Sequence, residues 1–309
     1  MDAAPFHADV AGHEPARAFW LQTDDAVRLR MAVWGKPARG TILIFPGRTE
    51  ACEKYGLLAA EFCVAGFCVV TLDWRGQGLS QRMGRDPRMG HVGRFSDYQR
   101  DVAALLAALP KLGLAEGARY LLAHSMGGAI GLRAVQQGLD VRGVVFSAPM
   151  WGLALSKPAR LAVLAITAAA RRLGMGQIYT PGYSADSYLD SAPFEGNVLT
   201  HDPEMFAYLK RQVDGYPDLG LGGPSLHWLS EALHEMAELR ATPVPQMPAL
   251  CLVGGAEHVV DPAAMTDVMA RWSGGHLARL PGLRHEIFYE IPRGRNQAID
   301  ATLRLFAEV

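Results

Sequence analysis

The clearest candidate for chemistry in this sequence is a serine that follows an apolar strand and begins a helix. In the stretch LLAHSMGGAI, Ser125 stands one residue beyond the apolar run RYLLA and before a helical pattern. A turn of this kind presents a nucleophilic hydroxyl in the G-x-S-x-G pattern, although Ala123 replaces the first glycine. The NH of Met126 is free at the helix start, where it can bind an oxyanion. We interpret Ser125 as a nucleophile and Met126 as an oxyanion donor; a non-catalytic junction of small residues is the alternative.

A serine nucleophile needs a histidine base and a carboxylate, which follow it in the order acid, then histidine, in this type of turn. His285, in PGLRHEIFYE, lies between the last predicted strand and the last predicted helix, and we assign it as the base. The stretch ALCLVGGAEHVVDP offers two acids, Glu257 and Asp261. Glu257 is nearer the strand end and is preferred. Asp261 precedes a proline, which also suits a helix N-cap, and it is the reserve.

A second oxyanion donor is expected from the loop after the strand TILIF. That loop reads PGRTE, so the backbone NH of Arg48 is the candidate, and Gly47 allows close approach of the backbone. The alternative is an ordinary turn before a helix capped by Thr49.

Strands and helices alternate around these residues. An opening hairpin is predicted over 19–34, and short apolar strands are predicted at 41–45, 67–73, 119–123, 143–149, 249–255 and 276–280. Helices are predicted at about 55–66, 96–109 with Ser96 as N-cap, 126–137, 262–272 and 294–307. Strands without polar alternation, separated by helices, predict a mostly parallel sheet that is covered on both faces.

The alternation stops for about ninety residues after Pro149. Only helical patterns appear there, around 158–172, 203–213 and 225–239. We therefore predict an α/β core formed by residues 1–148 and 244–309, with a helical cap or lid inserted at 149–243.

Composition excludes several classes of function. The 309 residues carry 30 lysines and arginines against 31 acidic residues, so no electrostatic footprint for nucleic acid is expected. The motif HEMAE lacks the second histidine of a zinc helix, and DWRGQG matches no nucleotide-binding pattern. We expect neither a metal nor an organic cofactor. Four cysteines without paired spacing are expected to be reduced core thiols, namely Cys52, Cys63, Cys68 and Cys251.

The N-terminal stretch and the apolar runs indicate where in the cell the protein is expected. The N-terminal stretch has acidic residues and no apolar core of a signal peptide, and the longest apolar run, 161–170, is about half of a bilayer span. We expect a cytoplasmic protein, peripheral to the membrane at most.

Several stretches together resemble the α/β-hydrolase superfamily, and within it the monoacylglycerol lipase and bacterial lysophospholipase L2 group. The matching stretches are FPGRTE (45–50), EKYGLLAAEF (53–62), LDWRGQGLS (72–80), AHSMGG (123–128), GGAEHVVD (254–261) and GLRHEIFYE (282–290). The resemblance implies a triad of Ser125, Glu257 and His285, an oxyanion hole from the Arg48 and Met126 backbones, and a lid over an acyl pocket. Ala123, Pro46 and Glu257 depart from the glycine, histidine and aspartate common in the family.

The expected reaction is hydrolysis of a carboxylic ester through an acyl-serine intermediate. By resemblance the substrate is a monoacyl lipid, either a lysophospholipid or a monoacylglycerol; a short-chain esterase and a non-catalytic ligand-binding protein are the alternatives. Apolar residues and two arginines in the predicted cap suit a lid that touches a membrane surface transiently, and packing on the core is the alternative. These residues are Met150, Trp151, Leu153, Leu155, Leu161, Leu164, Ile166, Arg171 and Arg172.

Overall fold

A computed structural model describes residues 1–15 and 17–309 and shows one central eight-stranded sheet. The strands are β1 (Arg17–Gln22), β2 (Arg28–Trp34), β3 (Thr41–Phe45), β4 (Cys68–Asp73), β5 (Arg119–His124), β6 (Gly143–Ser147), β7 (Ala249–Gly254) and β8 (Gly275–Leu280). Their spatial order is β1-β2-β4-β3-β5-β6-β7-β8. Strand β2 runs antiparallel to β1 and β4, and the remaining pairs are parallel.

Ten α-helices accompany the sheet among the described residues. They are α1 (Ala8–Ala11), α2 (Gly56–Val64), α3 (Tyr98–Ala108), α4 (Met126–Gln136), α5 (Lys157–Arg172), α6 (Tyr188–Ser191), α7 (Pro203–Gly215), α8 (Leu226–Ala241), α9 (Pro262–Met269) and α10 (Pro292–Glu308). None of the helices in this part of the chain has the length and hydropathy that crossing a bilayer requires.

The middle of the sheet is buried on both faces. Every residue of β3, β4, β6 and β7 is buried, which explains why these strands read as continuous apolar runs in the sequence. The prediction of a mostly parallel sheet flanked by helices is confirmed. At roughly 25 cal/mol per Å2 of apolar surface removed from water, this burial is the main stabilising contribution to the fold.

Between β6 and β7 the described chain forms helices α5 to α8 and isolated bridges, but no extended strand. Helix α5 rests on α8 and is otherwise largely exposed. The segment that the sequence predicts to be an insertion thus differs from the rest of the chain in architecture.

Three details of the sequence-based prediction are wrong. Ser96 is not the N-cap of α3, because a 3-10 turn over Phe95–Asp97 precedes the helix and Asp97 accepts from the Arg94 NH instead. Cys63 is half-buried rather than part of the core, because it lies near the end of α2.

The third detail concerns Met150 and Trp151, which we predicted to belong to an amphipathic lid. Both are buried: the Trp151 ring lies 4.9 Å from the Phe146 ring, and its indole NH donates to the Gly128 carbonyl at 3.1 Å. Core packing therefore accounts for this pair, whereas Leu155, Leu161, Leu164 and Ile166 are exposed.

Charged side chains also stabilise the core. Arg30, fully buried on β2, contacts the carboxylates of Glu53 and Asp73, and Arg75 contacts those of Asp25 and Asp101. Both of these buried guanidinium groups have carboxylate partners, which offset the cost of burying a charge.

Candidate active site

Ser125 occupies the sharp turn between β5 and α4. Its backbone has φ 51° and ψ −117°, a conformation that is costly for a residue with a side chain. The turn is held because the Ser125 NH donates to Ser147 O at 3.0 Å, and the Ser125 carbonyl accepts from the NH groups of Gly128 and Met150. The turn therefore projects the serine hydroxyl from the carboxyl edge of the parallel strands, where ligands of such sheets bind.

Small residues are required around this turn for steric reasons. A Cβ at Gly127 would overlap the carbonyls of Phe45 and Pro46, and a Cβ at Gly128 would overlap Pro149. Ala123 is accommodated because residue 131 is glycine: a Cβ there would lie 3.0 Å from the Ala123 Cβ. The missing first glycine of the motif is thus compatible with the geometry of the turn.

The structure brings His285 and Glu257 to Ser125 in a continuous hydrogen-bonded chain. His285 Nε2 lies 3.0 Å from Ser125 Oγ, and His285 Nδ1 lies 2.8 Å from Glu257 Oε2. All three side chains are buried. This is the arrangement in which a base can remove the serine proton while a carboxylate fixes the imidazole tautomer.

Glu257 rather than Asp261 contacts the histidine. The second Glu257 oxygen accepts from the NH groups of Val259 and Val260 at 2.6 and 3.2 Å. Burial alone works against ionisation, but the bond to His285, its charge and these two NH groups together lower the pKa of Glu257 below its ordinary value. Asp261 is the N-cap of α9 and accepts from Ala263 N at 2.9 Å.

Of the two predicted oxyanion donors, Met126 follows Ser125 directly, and Arg48 lines the same cavity as Ser125. The backbone NH groups of Arg48 and Met126 have no acceptor within the described part of the chain. The Arg48 loop is held by two side chains from the DWRGQG motif: Trp74 Nε1 donates to Pro46 O at 2.8 Å, and Gln77 Nε2 donates to Gly47 O at 3.0 Å. This motif, which matches no nucleotide-binding pattern, thus orients the loop that carries Arg48.

A cavity of about 600 Å3 opens from the serine toward helices α5 to α8. Its wall is apolar over most of its area and includes Leu153, Leu155, Val163, Leu189, Val198, Leu199, Leu209, Val213, Leu219, Leu229, Val259 and Val260. Ser125, His285 and Arg48 line the same cavity. Such a space suits an alkyl chain beside a polar reaction centre.

Known proteins share this sequence pattern. Residues 36–292 match the family model described as serine aminopeptidase, S33. The chain belongs to this family. The serine aminopeptidase family model covers the strands β3 to β8 and all of the residues that converge at Ser125.

Two curated relatives extend the comparison within the family. Lysophospholipase L2 of Escherichia coli is 32% identical over 314 residues, which cover 94% of this chain and 90% of that protein. Probable lysophospholipase L2 of Haemophilus influenzae is 29% identical over 82% of this chain and 79% of its own length.

A solved structure confirms the fold. A soluble variant of monoglyceride lipase from Saccharomyces cerevisiae, in complex with a substrate analogue, superposes with a TM-score of 0.74 at 19% identity and covers 99% of both chains. The α/β-hydrolase fold and the resemblance to the lysophospholipase and monoacylglycerol lipase group, both predicted from the sequence, are confirmed.

Behind the serine, this family member contains a buried charged group that the sequence did not reveal. We call Glu50, Lys54, His124 and Glu286 the Lys54 cluster. Lys54 Nζ donates to Glu50 at 2.7 Å and to Glu286 at 2.6 Å, and His124 Nε2 lies 3.4 and 3.5 Å from the same two carboxylates. The His124 ring is 4.9 Å from the His285 ring.

The charges of the Lys54 cluster stabilise one another. Burial opposes each charged form, but the two carboxylates raise the pKa values of Lys54 and His124, and these cations lower the pKa of Glu286. The oxygen and nitrogen atoms of Glu50, His124 and Glu286 lie within 4.8 Å of one another, as metal ligands would. Because the Lys54 ammonium already bonds both carboxylates, we assign no metal to this place.

His124 precedes the nucleophile and so does not fit the expected order of acid, then histidine, and the sequence gives no motif that includes Glu50, Lys54 and Glu286. The only local signal is the spacing of Glu50 and Lys54, which places them one helical turn apart in an otherwise buried stretch.

Proposed function

We propose that this chain, a serine ester hydrolase, cleaves the single acyl ester of monoacyl glycerolipids, either lysophospholipids or monoacylglycerols. The observation that carries the proposal is the Ser125–His285–Glu257 chain, with bonds of 3.0 and 2.8 Å, at the polar end of a largely apolar cavity. The names of the relatives agree with this substrate class.

The proposed reaction has two halves. His285 Nε2 accepts the Ser125 proton while Oγ bonds to the ester carbonyl carbon, and the backbone NH groups of Arg48 and Met126 stabilise the oxyanion. Each such donor contributes about 3 kcal/mol in comparable sites. The C–O bond to the glycerol then breaks, and the imidazolium returns the proton to the leaving alcohol. In the second half a water attacks the acyl-serine with His285 again as base, which releases the fatty acid.

Cleavage of an N-terminal peptide bond, the activity in the family description, is less well supported. An aminopeptidase must bind a substrate ammonium group, for which a free carboxylate is the usual partner. The acidic residues that line the cavity, Glu50 and Glu286, both bond to Lys54, and the Arg48 guanidinium adds a positive charge to the wall. These charges disfavour a cationic substrate.

Labelling and turnover test the proposal. A fluorophosphonate probe should label the wild-type protein but not Ser125→Ala, and this substitution should lower kcat by about 10⁶-fold, because the nucleophile is lost. Turnover of lysophosphatidylcholine, monoacylglycerol and p-nitrophenyl esters of graded chain length defines the substrate. Equal labelling of Ser125→Ala would exclude the assigned nucleophile, and a sharp preference for short esters would favour the short-chain esterase. An unlabelled wild-type protein would favour the non-catalytic alternative.

We also propose that residues 149–243 act as a lid between core segments 1–148 and 244–309 and that α5 touches the membrane surface transiently. Leu161, Leu164 and Ile166 are 68%, 44% and 41% exposed on α5, a helix that has no acidic residue and ends in Arg171 and Arg172. Exposed apolar residues beside arginines suit an anionic lipid surface.

Co-sedimentation with vesicles tests this contact. Leu161→Ser together with Leu164→Ser should reduce binding to phosphatidylglycerol vesicles about 30-fold, because about 2 kcal/mol of apolar transfer is lost. Val64→Ser, which changes an apolar residue that is 90% exposed on α2, is the matched control. Equal binding by both variants would contradict a role for α5.

A further inference from the structure

Arg48 differs from the other deeply placed arginines because its guanidinium lacks a carboxylate partner among the described residues. Nη2 donates to the Gly222 carbonyl, Cζ lies 5.4 Å from the Trp228 ring centroid, and Nε is buried without any hydrogen-bond partner. By contrast, Arg30 and Arg75 each contact two carboxylates.

The environment of Arg48 does not compensate its charge. Burial lowers the pKa of Arg48 to about 10, and the only charge interactions that oppose this effect come from the hydroxyls of Tyr98 and Tyr183. A buried cation without a counter-ion is unfavourable for the folded protein, so its presence calls for a benefit in binding.

The glycine at position 90 leaves space for the Arg48 guanidinium. A Cβ at Gly90 would lie 2.6 Å from Arg48 Nη2, so only glycine leaves the guanidinium in its present position. Arg48 also lines the Ser125 cavity and keeps part of its surface accessible. The guanidinium lies against the ring of Trp228, which lines the same cavity.

A second unpartnered polar atom lies on the same side of the cavity. Thr180 lines the cavity, and its hydroxyl is buried without a hydrogen-bond partner in the described structure. Arg48 and Thr180 are anchored to one short segment, because Arg48 Nη2 donates to Gly222 O and the Thr180 NH donates to Pro224 O at 2.9 Å. Two donors without acceptors thus border one part of the cavity.

The position of Arg48 relates this part of the cavity to the ester. Its backbone NH is the proposed oxyanion donor, so the side chain starts beside the ester carbonyl. The chain of bonds from that nitrogen to the guanidinium carbon is about as long as the chain from the carbonyl carbon of a lysophospholipid to its phosphorus. The guanidinium fork also matches two phosphate oxygens.

We propose that the Arg48 guanidinium and the Thr180 hydroxyl form the subsite for the phosphate diester of a lysophospholipid. This inference rests on the proposed function and narrows it: the chain discriminates between lysophospholipid and monoacylglycerol, which carry the same acyl ester, by the phosphate that only the former has.

The test compares kcat/KM for lysophosphatidylcholine and monoacylglycerol with the same acyl chain. In Arg48→Met the ratio of the two values should fall about 10- to 100-fold relative to the wild type, because a charge-assisted pair is lost from one substrate only. Arg48→Lys, which keeps the charge but not the fork, should restore part of the ratio, and Thr180→Val should lower it about threefold.

Arg82→Met is the matched control. Arg82 also donates from Nη2 to carbonyls of the helical segment, those of Asp218 and Gly220, but it does not line the cavity. Its substitution should leave the ratio unchanged. An unchanged ratio in Arg48→Met, including the case in which both activities fall equally, would refute the phosphate subsite. An equal fall of the ratio in Arg82→Met would also refute it.

Inhibition separates phosphate from the other anion that the reaction offers, the fatty-acid carboxylate. Dodecylphosphocholine should inhibit wild-type turnover of a p-nitrophenyl ester about tenfold more strongly than it inhibits Arg48→Met. If only inhibition by laurate weakens, Arg48 is a product carboxylate site and the proposal is wrong. A wild-type enzyme that turns over neither lipid would instead refute the proposed function.

Discussion

Two polar regions lie near Ser125, and they differ in whether their buried charges have partners of opposite charge. In the Lys54 cluster, one ammonium bonds two carboxylates and a histidine lies beside them. Arg48, in contrast, has an aromatic ring and a carbonyl as neighbours but no carboxylate among the described residues. The lysine and the carboxylates of the first region are paired within the chain, whereas the Arg48 guanidinium has a buried donor without an acceptor.

This difference indicates that the paired charges of the Lys54 cluster support the fold, whereas the Arg48 guanidinium is available to a ligand. Removing one member of a buried, paired set leaves an uncompensated charge, so the folded state suffers. Removing a buried charge that has no partner relieves a desolvation cost, so the folded state loses little and function is affected instead. The two regions therefore make opposite predictions for stability and for substrate selection.

After loss of the nucleophile, the largest expected effect concerns the buried pair of Glu257 and His285. The histidine of this pair changes charge during the reaction. Glu257→Gln should lower kcat about 10⁴-fold, because the amide no longer fixes the imidazole tautomer or stabilises the imidazolium. Ester turnover by purified variants measures this loss.

Asp261→Asn is the matched control, since it changes a carboxylate four residues further along. Because asparagine is also a good N-cap, turnover should stay within about twofold of the wild type. A greater loss for Asp261→Asn than for Glu257→Gln would transfer the role of triad acid to Asp261.

The next effect tests the two polar regions against each other through stability. Lys54→Met should lower the free energy of unfolding by about 3–5 kcal/mol, because it leaves Glu50 and Glu286 buried side by side. Arg48→Met should change it by less than about 1 kcal/mol. Denaturant unfolding of both variants, monitored by tryptophan fluorescence, measures the two values. Equal destabilisation would abolish the distinction between a paired and an unpaired region.

The triad could be predicted because its members obey local rules. Ser125 stands between a strand and a helix, and Glu257 and His285 follow later strands in the order that the fold imposes. Each of these signals lies within about ten residues, so no long-range contact had to be known.

The Lys54 cluster could not be predicted in this way. Glu286 lies 232 residues from Lys54 along the chain, and only the folded core brings their charged groups within 2.6 Å. The predictions at Ser96 and at Met150 and Trp151 failed for related reasons: a 3-10 turn displaced the helix start, and tertiary packing rather than local amphipathicity decided burial. For Arg48, the sequence motif predicted a role for the backbone NH as an oxyanion donor but no role for the side chain.

The close approach of residues 123 and 131 couples two positions of the nucleophile turn. Because a Cβ at 131 would meet the Ala123 methyl at 3.0 Å, one extra methyl group fits at one of these two positions but crowds the other. The two positions are therefore epistatic. The effects of Ala123→Gly and Gly131→Ala on stability should therefore not be additive, although the two residues stand eight positions apart.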